Sequence, residues 1–188
     1  MKLKLAVVFF VSFSLFLPVL VFGQSRNEGI AAFISSVFTK KRFTTAPVDN
    51  ADVDIILQCG IKAPSARNGQ PWHFTVIRDV RIMKEIIPDA LEGNVLIVVS
   101  GPERLQGSIF DCGLATENVF LAAQALGLGS HIYTGPIAKL NQDYRDAVGM
   151  PDGYIGVSII KIGNIEQGVD SVSSASTRKP GSGMVNYR

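Results

Sequence analysis

Apolar residues recur along this chain at two spacings, and their alternation outlines its elements. Ile30, Phe33, Ile34, Val37 and Phe38 follow a helical interval and lead into the polar run 39–42. Val53, Ile56, Leu57 and Ile61 form a second helical stripe, which Asp49 or Asn50 can cap and Pro64 stops. Residues 74–77 read as a strand, and a short helix is expected at 82–87. Val95, Leu96, Ile97, Val98 and Val99 make a continuous apolar run, typical of a strand covered on both faces. Ser108 and Asp111 have the spacing of a capping box that opens the longest helix, running to Leu126, and Gly127 suits the left-handed position past its end. Leu114, Val119, Phe120, Leu121, Ala122, Ala125 and Leu126 make that helix apolar on nearly every side. It therefore belongs in the core or at a subunit interface, with Thr116, Glu117, Asn118 and Gln124 along an edge. Residues 131–133 are read as a strand end, 137–148 as a helix and 155–162 as a further strand. From Gly163 onward the chain is rich in Ser, Gly and Lys, without periodicity. This order predicts a sheet covered by helices, in the α/β or α+β class.

The N-terminus follows a different pattern. Lys2 and Lys4 precede an apolar stretch at 5–22, interrupted only by Ser12, Ser14 and Pro18. Val21 and Gly23 fit the small-residue rule at −3 and −1 of a signal-peptidase site, which predicts export with cleavage near Gly23. The alternative is an N-terminal membrane anchor, since about 20 apolar residues span a bilayer. Positive flanks stay inside, so an anchor would also place the rest of the chain outside. No Cys follows the run and no twin arginine precedes it, which argues against a lipoprotein and for crossing in the unfolded state. Removing residues 1–23 from the 188-residue chain leaves 165, enough for one domain with a core. The expected division is a signal peptide at 1–23, a domain at 24–163, and an arm at 164–188 that belongs to the same domain.

Losing Lys2 and Lys4 takes the formal charge from +2 to 0, and the one dense basic run, Lys40-Lys41-Arg42, is too short for a nucleic-acid footprint. Cys59 and Cys112 are the only cysteines. In an oxidising compartment they could pair, although Cys59 in its apolar helical setting reads as a buried free thiol. Two Cys and two His at no ligand-like spacing make zinc implausible.

The richest stretch is Ala63-Pro64-Ser65-Ala66-Arg67-Asn68-Gly69-Gln70-Pro71-Trp72-His73-Phe74, between a predicted helix and a predicted strand. A helix stop, small polar side chains and a rigid return to extended chain suit a loop that offers hydrogen bonds to a flat polar ligand. This run resembles the FMN-contacting segment of the nitroreductase family, with proline, serine, asparagine, glutamine, proline and tryptophan in register. Further similarity lies at the Lys41 region, at 111–127, 133–136 and 149–151, and at Arg178-Lys179-Pro180.

The resemblance implies an α+β fold with a central mixed sheet flanked by helices, and an intertwined homodimer with FMN between the subunits. It implies ring contacts from Pro64, Ser65, Asn68 and Gln70, and backbone groups near the reactive edge of the ring from Thr134, Gly135 and Pro136. Thr39, Lys41, Arg178 and Lys179 match the phosphate-binding positions. The first phosphate motif departs from the family pattern, because Val37 and Phe38 stand where arginines are usual. The arm carrying Arg178 would cross to the partner subunit. Trp72 and His73 read as packing residues, and no protein side chain is expected to act as a catalyst, because the flavin carries the chemistry. The chain lacks an inserted helix between Val99 and Ser108, which implies an open, permissive site or a substrate lid supplied by something else.

The implied activity is reduction of nitro compounds, quinones or similar small acceptors in a ping-pong scheme, with NAD(P)H or another donor. Alternatives are an exported flavin-binding module without nicotinamide-driven turnover, or a related flavin reaction such as dehalogenation or oxidation of a modified peptide.

Overall fold

The computed structural model describes residues 26–168 and 177–188. The predicted signal peptide, its cleavage site and part of the arm lie outside the described residues. Among the described residues, no helix is long and apolar enough to cross a membrane.

The apolar runs become four strands: β1 (His73–Ile77), β2 (Val95–Pro102), β3 (Gly129–Tyr133) and β4 (Tyr154–Gly163). They form one sheet in the order β1-β2-β4-β3, and all three pairings are antiparallel. β2 is buried along seven of its eight residues because helices cover both faces of the sheet centre. One face carries Val95, Ile97, Val99, Ile160 and Ile162 against helices α2 (Asn50–Ile61) and α4 (Ser108–Ala125). The other carries Leu96, Val98 and Ile159 against Met83, Ile86 and Ile87 of α3 (Val80–Ile86) and the turn after it. This is the α+β architecture expected, a central sheet flanked by helices.

Helix ends show what local pattern captures and what it misses. Gly127 takes φ +80°, and the N–H groups of Gly127 and Leu128 donate to Gln124 and Ala123, closing α4 in a left-handed cap as expected. The capping box does not form. Gly107 precedes the helix, Ser108 Oγ donates to the Pro102 carbonyl, and the Asp111 carboxylate turns away to the loop at Ala66. Of the polar residues expected along an edge of α4, Glu117 is exposed but the other three are not free edge groups. Thr116 is buried and meets Ser158 Oγ at 2.6 Å, Asn118 donates to the Cys59 carbonyl, and Gln124 donates to Phe38 O and Ser130 Oγ. They tie α4 to β4, α2, the stretch at Phe38 and β3.

The first helix, α1 (Glu28–Ser36), ends before Val37 and buries none of its residues. The helix expected at 137–148 is present but shorter: an α-helical turn, α5 (Ile137–Lys139), runs directly into a wider π-helix at Leu140–Tyr144. Asn141 there accepts the Gly156 N–H at 2.7 Å, and a Cβ at Gly156 would lie 2.7 Å from Leu140 Cδ2, so a larger residue would have to displace that side chain. Cys59 and Cys112 are both free thiols; Cys112 is buried and Cys59 half-buried. Beyond β4 the chain stays attached to the domain. Thr44 N–H donates to Asn164 O, Glu166 N–H to Arg42 O, and the Asn164 amide to the carbonyls of Ala46 and Pro47.

Candidate functional site

The loop at 63–72 is built by its own hydrogen bonds. The hydroxyl of Ser65 accepts the Gln70 N–H at 2.9 Å, and the Asn68 and Gly69 N–H groups donate to the carbonyls of Ser65 and Ala66. The side-chain amide of Gln70 donates to Asn68 O. Arg67, Asn68 and Gln70 all sit at positive φ (54°, 55° and 46°). For Arg67 and Gln70 this costs about 1–2 kcal/mol each, and asparagine bears it more easily, so the surrounding bonds must hold the loop in place. Asp111 supplies one anchor: buried in the first turn of α4, its carboxylate accepts the Ala66 N–H at 3.2 Å. Pro71 is buried and Trp72 packs on the core beneath α2 and α4. The result is a rigid arch that leaves Pro64, Ala66, Arg67, Asn68, Gly69 and Gln70 exposed.

The second group of candidates lies along β3, the edge strand. The Lys40 N–H donates to Ser130 O, which sets Thr39 and Lys41 beside the start of the strand. Thr134, Gly135 and Pro136 follow its end. Thr134 lines a cavity of about 320 Å³ with Ile109, Ile137, Asn141, Ile155, Gly156 and Val157. Gly135 is exposed, and nothing lies within 4 Å of where its Cβ would be. The first turn of α4 therefore serves both groups, with Asp111 holding the arch and Ile109 lining the cavity.

Arg42, next to Lys41, is engaged within the chain. Its Nε sits 3.4 Å from the Glu166 carboxylate, on a backbone fixed by the pairing of 42–46 with 164–166. Arg178 and Lys179 are exposed on the terminal segment, with Met184, Val185 and Tyr187 also exposed nearby in sequence.

Three groups on one face of β3 and β4 escaped the sequence reading. Lys161 is 1% exposed, with Nζ 2.8 Å from Asp89 and lying over the rings of Phe43 and Tyr133. Its direct cross-strand partner is His131, whose ring is 4.0 Å from that of Tyr133. His131 Nδ1 is buried without a hydrogen-bond partner, and the Tyr133 hydroxyl is buried beside the Asp89 carboxylate. Burial, then the ammonium groups of Lys161 and Lys41, lower the His131 pKa below its usual 6.5, while Asp89 opposes them weakly. Burial, followed by the nearby Asp89 carboxylate, pushes the Tyr133 hydroxyl up. The available signal was a lone cation inside the apolar run 155–162, since a lysine is almost never fully buried unless paired.

On the opposite side of the molecule, a groove of about 640 Å³ runs between α1, α2 and α4. Ile30, Phe33, Ile34, Ile55 and Leu121 line it, and Ile30, Ile34 and Ile55 remain about half exposed.

The sequence pattern described as Nitroreductase family matches residues 35–97 and 92–164. A protein of Archaeoglobus fulgidus with the provisional name NADH dehydrogenase/NAD(P)H nitroreductase is 30% identical over 146 residues, covering 69% of this chain and 83% of its own. Among solved structures, a provisionally named nitroreductase of Desulfovibrio desulfuricans in complex with FMN superposes with a TM-score of 0.74 at 25% identity, over 87% of this chain and 98% of that one. An FMN-dependent nitroreductase of Clostridium difficile gives 0.61 at 27% identity, over 76% and 97%.

Proposed function

Because the chain belongs to the nitroreductase family, we propose that it is an FMN-dependent oxidoreductase that reduces nitro compounds, quinones or similar small acceptors. The carrying observation is the arch at 63–72, a strained loop held by Asp111 and Ser65 with its polar groups exposed. The residues fit the cofactor in layout as well. Thr39 and Lys41 flank the start of β3 and Thr134–Pro136 follow its end, about four strand residues apart. That is roughly 13 Å at strand rise, a separation suited to a phosphate at one end and a flavin ring at the other. Bound FMN would supply the redox chemistry, taking a hydride from NAD(P)H or another donor and passing electrons to the acceptor in alternate half-reactions.

The protein's own part is positional. Pro64, Ser65, Asn68 and Gln70 would hold the polar edge of the ring, and Thr134, Gly135 and Pro136 would offer backbone groups near its reactive edge. Lys41, Arg178 and Lys179, with Thr39, would hold the phosphate by charge-assisted hydrogen bonds. The cavity beside Thr134 would admit a small acceptor, its walls mostly aliphatic.

We also propose a homodimer. The half-exposed apolar groove between α1, α2 and α4 is the kind of surface a monomer does not leave in water. The exposed Met184, Val185 and Tyr187 are consistent with an arm that packs on a partner. Export with cleavage near Gly23 remains the reading of the N-terminus.

One test separates turnover from storage. The purified mature chain should carry flavin absorbance that bleaches anaerobically with NADH or NADPH and recovers on adding a quinone. Flavin that binds but stays oxidised with both donors favours a binding module or a different donor. That second reading has support from Val37 and Phe38 at usual arginine positions and from the engagement of Arg42 by Glu166.

A further inference from the structure

Resting on the FMN reading for the source of electrons, we propose that the cavity beside Thr134 is a subsite for neutral acceptors of one or two rings. The side-chain amide of Asn141 selects them by donating a hydrogen bond to a carbonyl or nitro oxygen.

Two local irregularities shape this cavity. The π-helix at Leu140–Tyr144 sets Asn141 against β4. The register of β4 on β2 slips at Val157, so that Val99 pairs with Ser158 and Ser100 with Gly156. Wide helical turns and β-bulges both interrupt regular hydrogen bonding, and both are frequent at functional sites. Here each contributes a lining residue, Asn141 and Val157, to the same space of about 320 Å³. Gly156 allows the close approach, since a Cβ there would lie 3.2 Å from Asn141 Oδ1.

The walls state what would fit. Ile109, Ile137, Ile155 and Val157 make them aliphatic, and among the described residues no charged side chain lines the cavity. Ile109 is 61% exposed, so a ring laid against it removes apolar surface from water. The volume lies at the small end of ligand pockets, about 300–1,000 Å³, which suits one or two rings and not a dinucleotide. Only Asn141 and Thr134 bring polar side chains. Asn141 Oδ1 is committed to the Gly156 N–H at 2.7 Å, and a backbone donor dictates that the oxygen end of the amide faces β4. The amide NH₂ is left over: among the described residues it makes no hydrogen bond, and neither does the Thr134 hydroxyl. A spare donor in an aliphatic wall matches an oxygen acceptor on an otherwise apolar ring. A carboxylate or phosphate would enter with no cation to answer it and would lose its hydration.

Acetophenone, benzoate and benzamidine carry one ring each and are neutral, negative and positive, so they serve as probes of the purified protein. Acetophenone should shift the Asn141 side-chain amide resonances, and benzoate should not. Asn141→Asp keeps an oxygen for the Gly156 N–H and replaces the donor with a charge. It should weaken acetophenone about tenfold, the loss of one hydrogen bond, and strengthen benzamidine, a gain that a merely structural Asn141 would not produce. In the flavin-loaded protein, kcat/KM for 1,4-benzoquinone should also fall about tenfold in Asn141→Asp, with flavin retention unchanged. Equal acetophenone affinity in the two proteins, or benzoate binding as tight as acetophenone, overturns the proposal. Displacement of acetophenone by FMN would give the cavity to the flavin ring and overturns it too. If the probes behave as expected in a chain that retains no flavin, the subsite stands and the FMN reading falls. Benzoquinone turnover that ignores Asn141→Asp keeps the FMN reading and removes the subsite.

Discussion

The two halves of the candidate site are built on opposite principles. The arch at 63–72 is preorganised: Ser65, Asp111 and the loop carbonyls lock three residues into left-handed backbone before any ligand arrives. The phosphate half is drawn instead from long, exposed side chains: Lys41 beside β3, and Arg178 and Lys179 on the terminal segment. A flat ring needs donors at fixed angles, so its half is rigid. A dianion accepts charge from many directions, so its half can be assembled from long side chains. Changes to the arch should therefore alter geometry and stability, and changes to the phosphate half should alter affinity with the fold intact.

The hardest blow to the phosphate half is removal of residues 169–188. The cut belongs after Gly168 and not before Asn164, because 164–166 are bonded to 42–46 and help hold the domain. We expect flavin affinity to fall by about a hundredfold or more, as two phosphate cations leave together, and the dimer to weaken in sedimentation. Retention of flavin by the truncated chain would show that the terminal arm is no part of the site.

For the arch, the corresponding change is Asp111→Ala. It deletes the carboxylate that accepts the Ala66 N–H and leaves the left-handed residues without their anchor. Stability should drop by roughly 1–3 kcal/mol, the cost of losing a hydrogen bond to a charged group, with Tm lower by several degrees. Asp111→Asn keeps an acceptor and should recover most of it. Equal Tm for Asp111→Ala and the wild type would mean that the arch does not depend on this contact.

The contrast also marks how far the sequence could be read. Helix α2, strands β1, β2 and β4, and the Gly127 cap follow from spacings within a few residues, and the structure has them. Asp111 was misread for the same reason. Its distance from Ser108 suggested a local cap, whereas its partner Ala66 lies 45 positions away. Periodicity likewise ran α1 through Val37 and Phe38, but a stripe does not reveal what covers it, and α1 stops at Ser36 with its apolar side half exposed. The arch residues were legible from their chemistry. Their left-handed backbone was not, since only Gly69 advertised it and Gly69 is not at positive φ. Lys161 and His131 required the cross-strand register before they could be seen as neighbours.

Of the single charges in the phosphate half, Arg178 is expected to matter most. Arg178→Ala should lower FMN affinity by about tenfold through loss of a charge-assisted bond, with riboflavin affinity and Tm unchanged. Flavin retained through dialysis as in the wild type would remove Arg178 from the site. A subtler probe of the arch compares Asn68→Gly with Asn68→Ala. Asn68 sits at φ 55°, which glycine accepts freely and alanine does not. Both changes delete the amide and should shift the flavin's reduction potential alike. Only the alanine variant should lose stability, by about 1 kcal/mol. Equal stability of the two would show that the loop relaxes, and that the arch is less rigid than its bonds imply.

The smallest effect is expected at Arg42, and it tests the comparison at its boundary. Arg42 adjoins Lys41 in sequence and has the charge to serve a phosphate, yet its guanidinium is paired with Glu166. Both side chains are more than half exposed, and exposed pairs of this kind contribute at most about 1 kcal/mol. Its backbone is fixed independently by the Glu166 N–H bond to the Arg42 carbonyl. Arg42→Ala should therefore leave Tm within a degree or two and FMN affinity within about threefold of the wild type. Glu166→Gln is the counterpart. It releases the guanidinium without removing it, and a gain in FMN affinity on that change would mean that Glu166 restrains a cation the phosphate could otherwise recruit. A tenfold loss in Arg42→Ala would place Arg42 in the site and leave the Glu166 contact as one that breaks when the ligand binds.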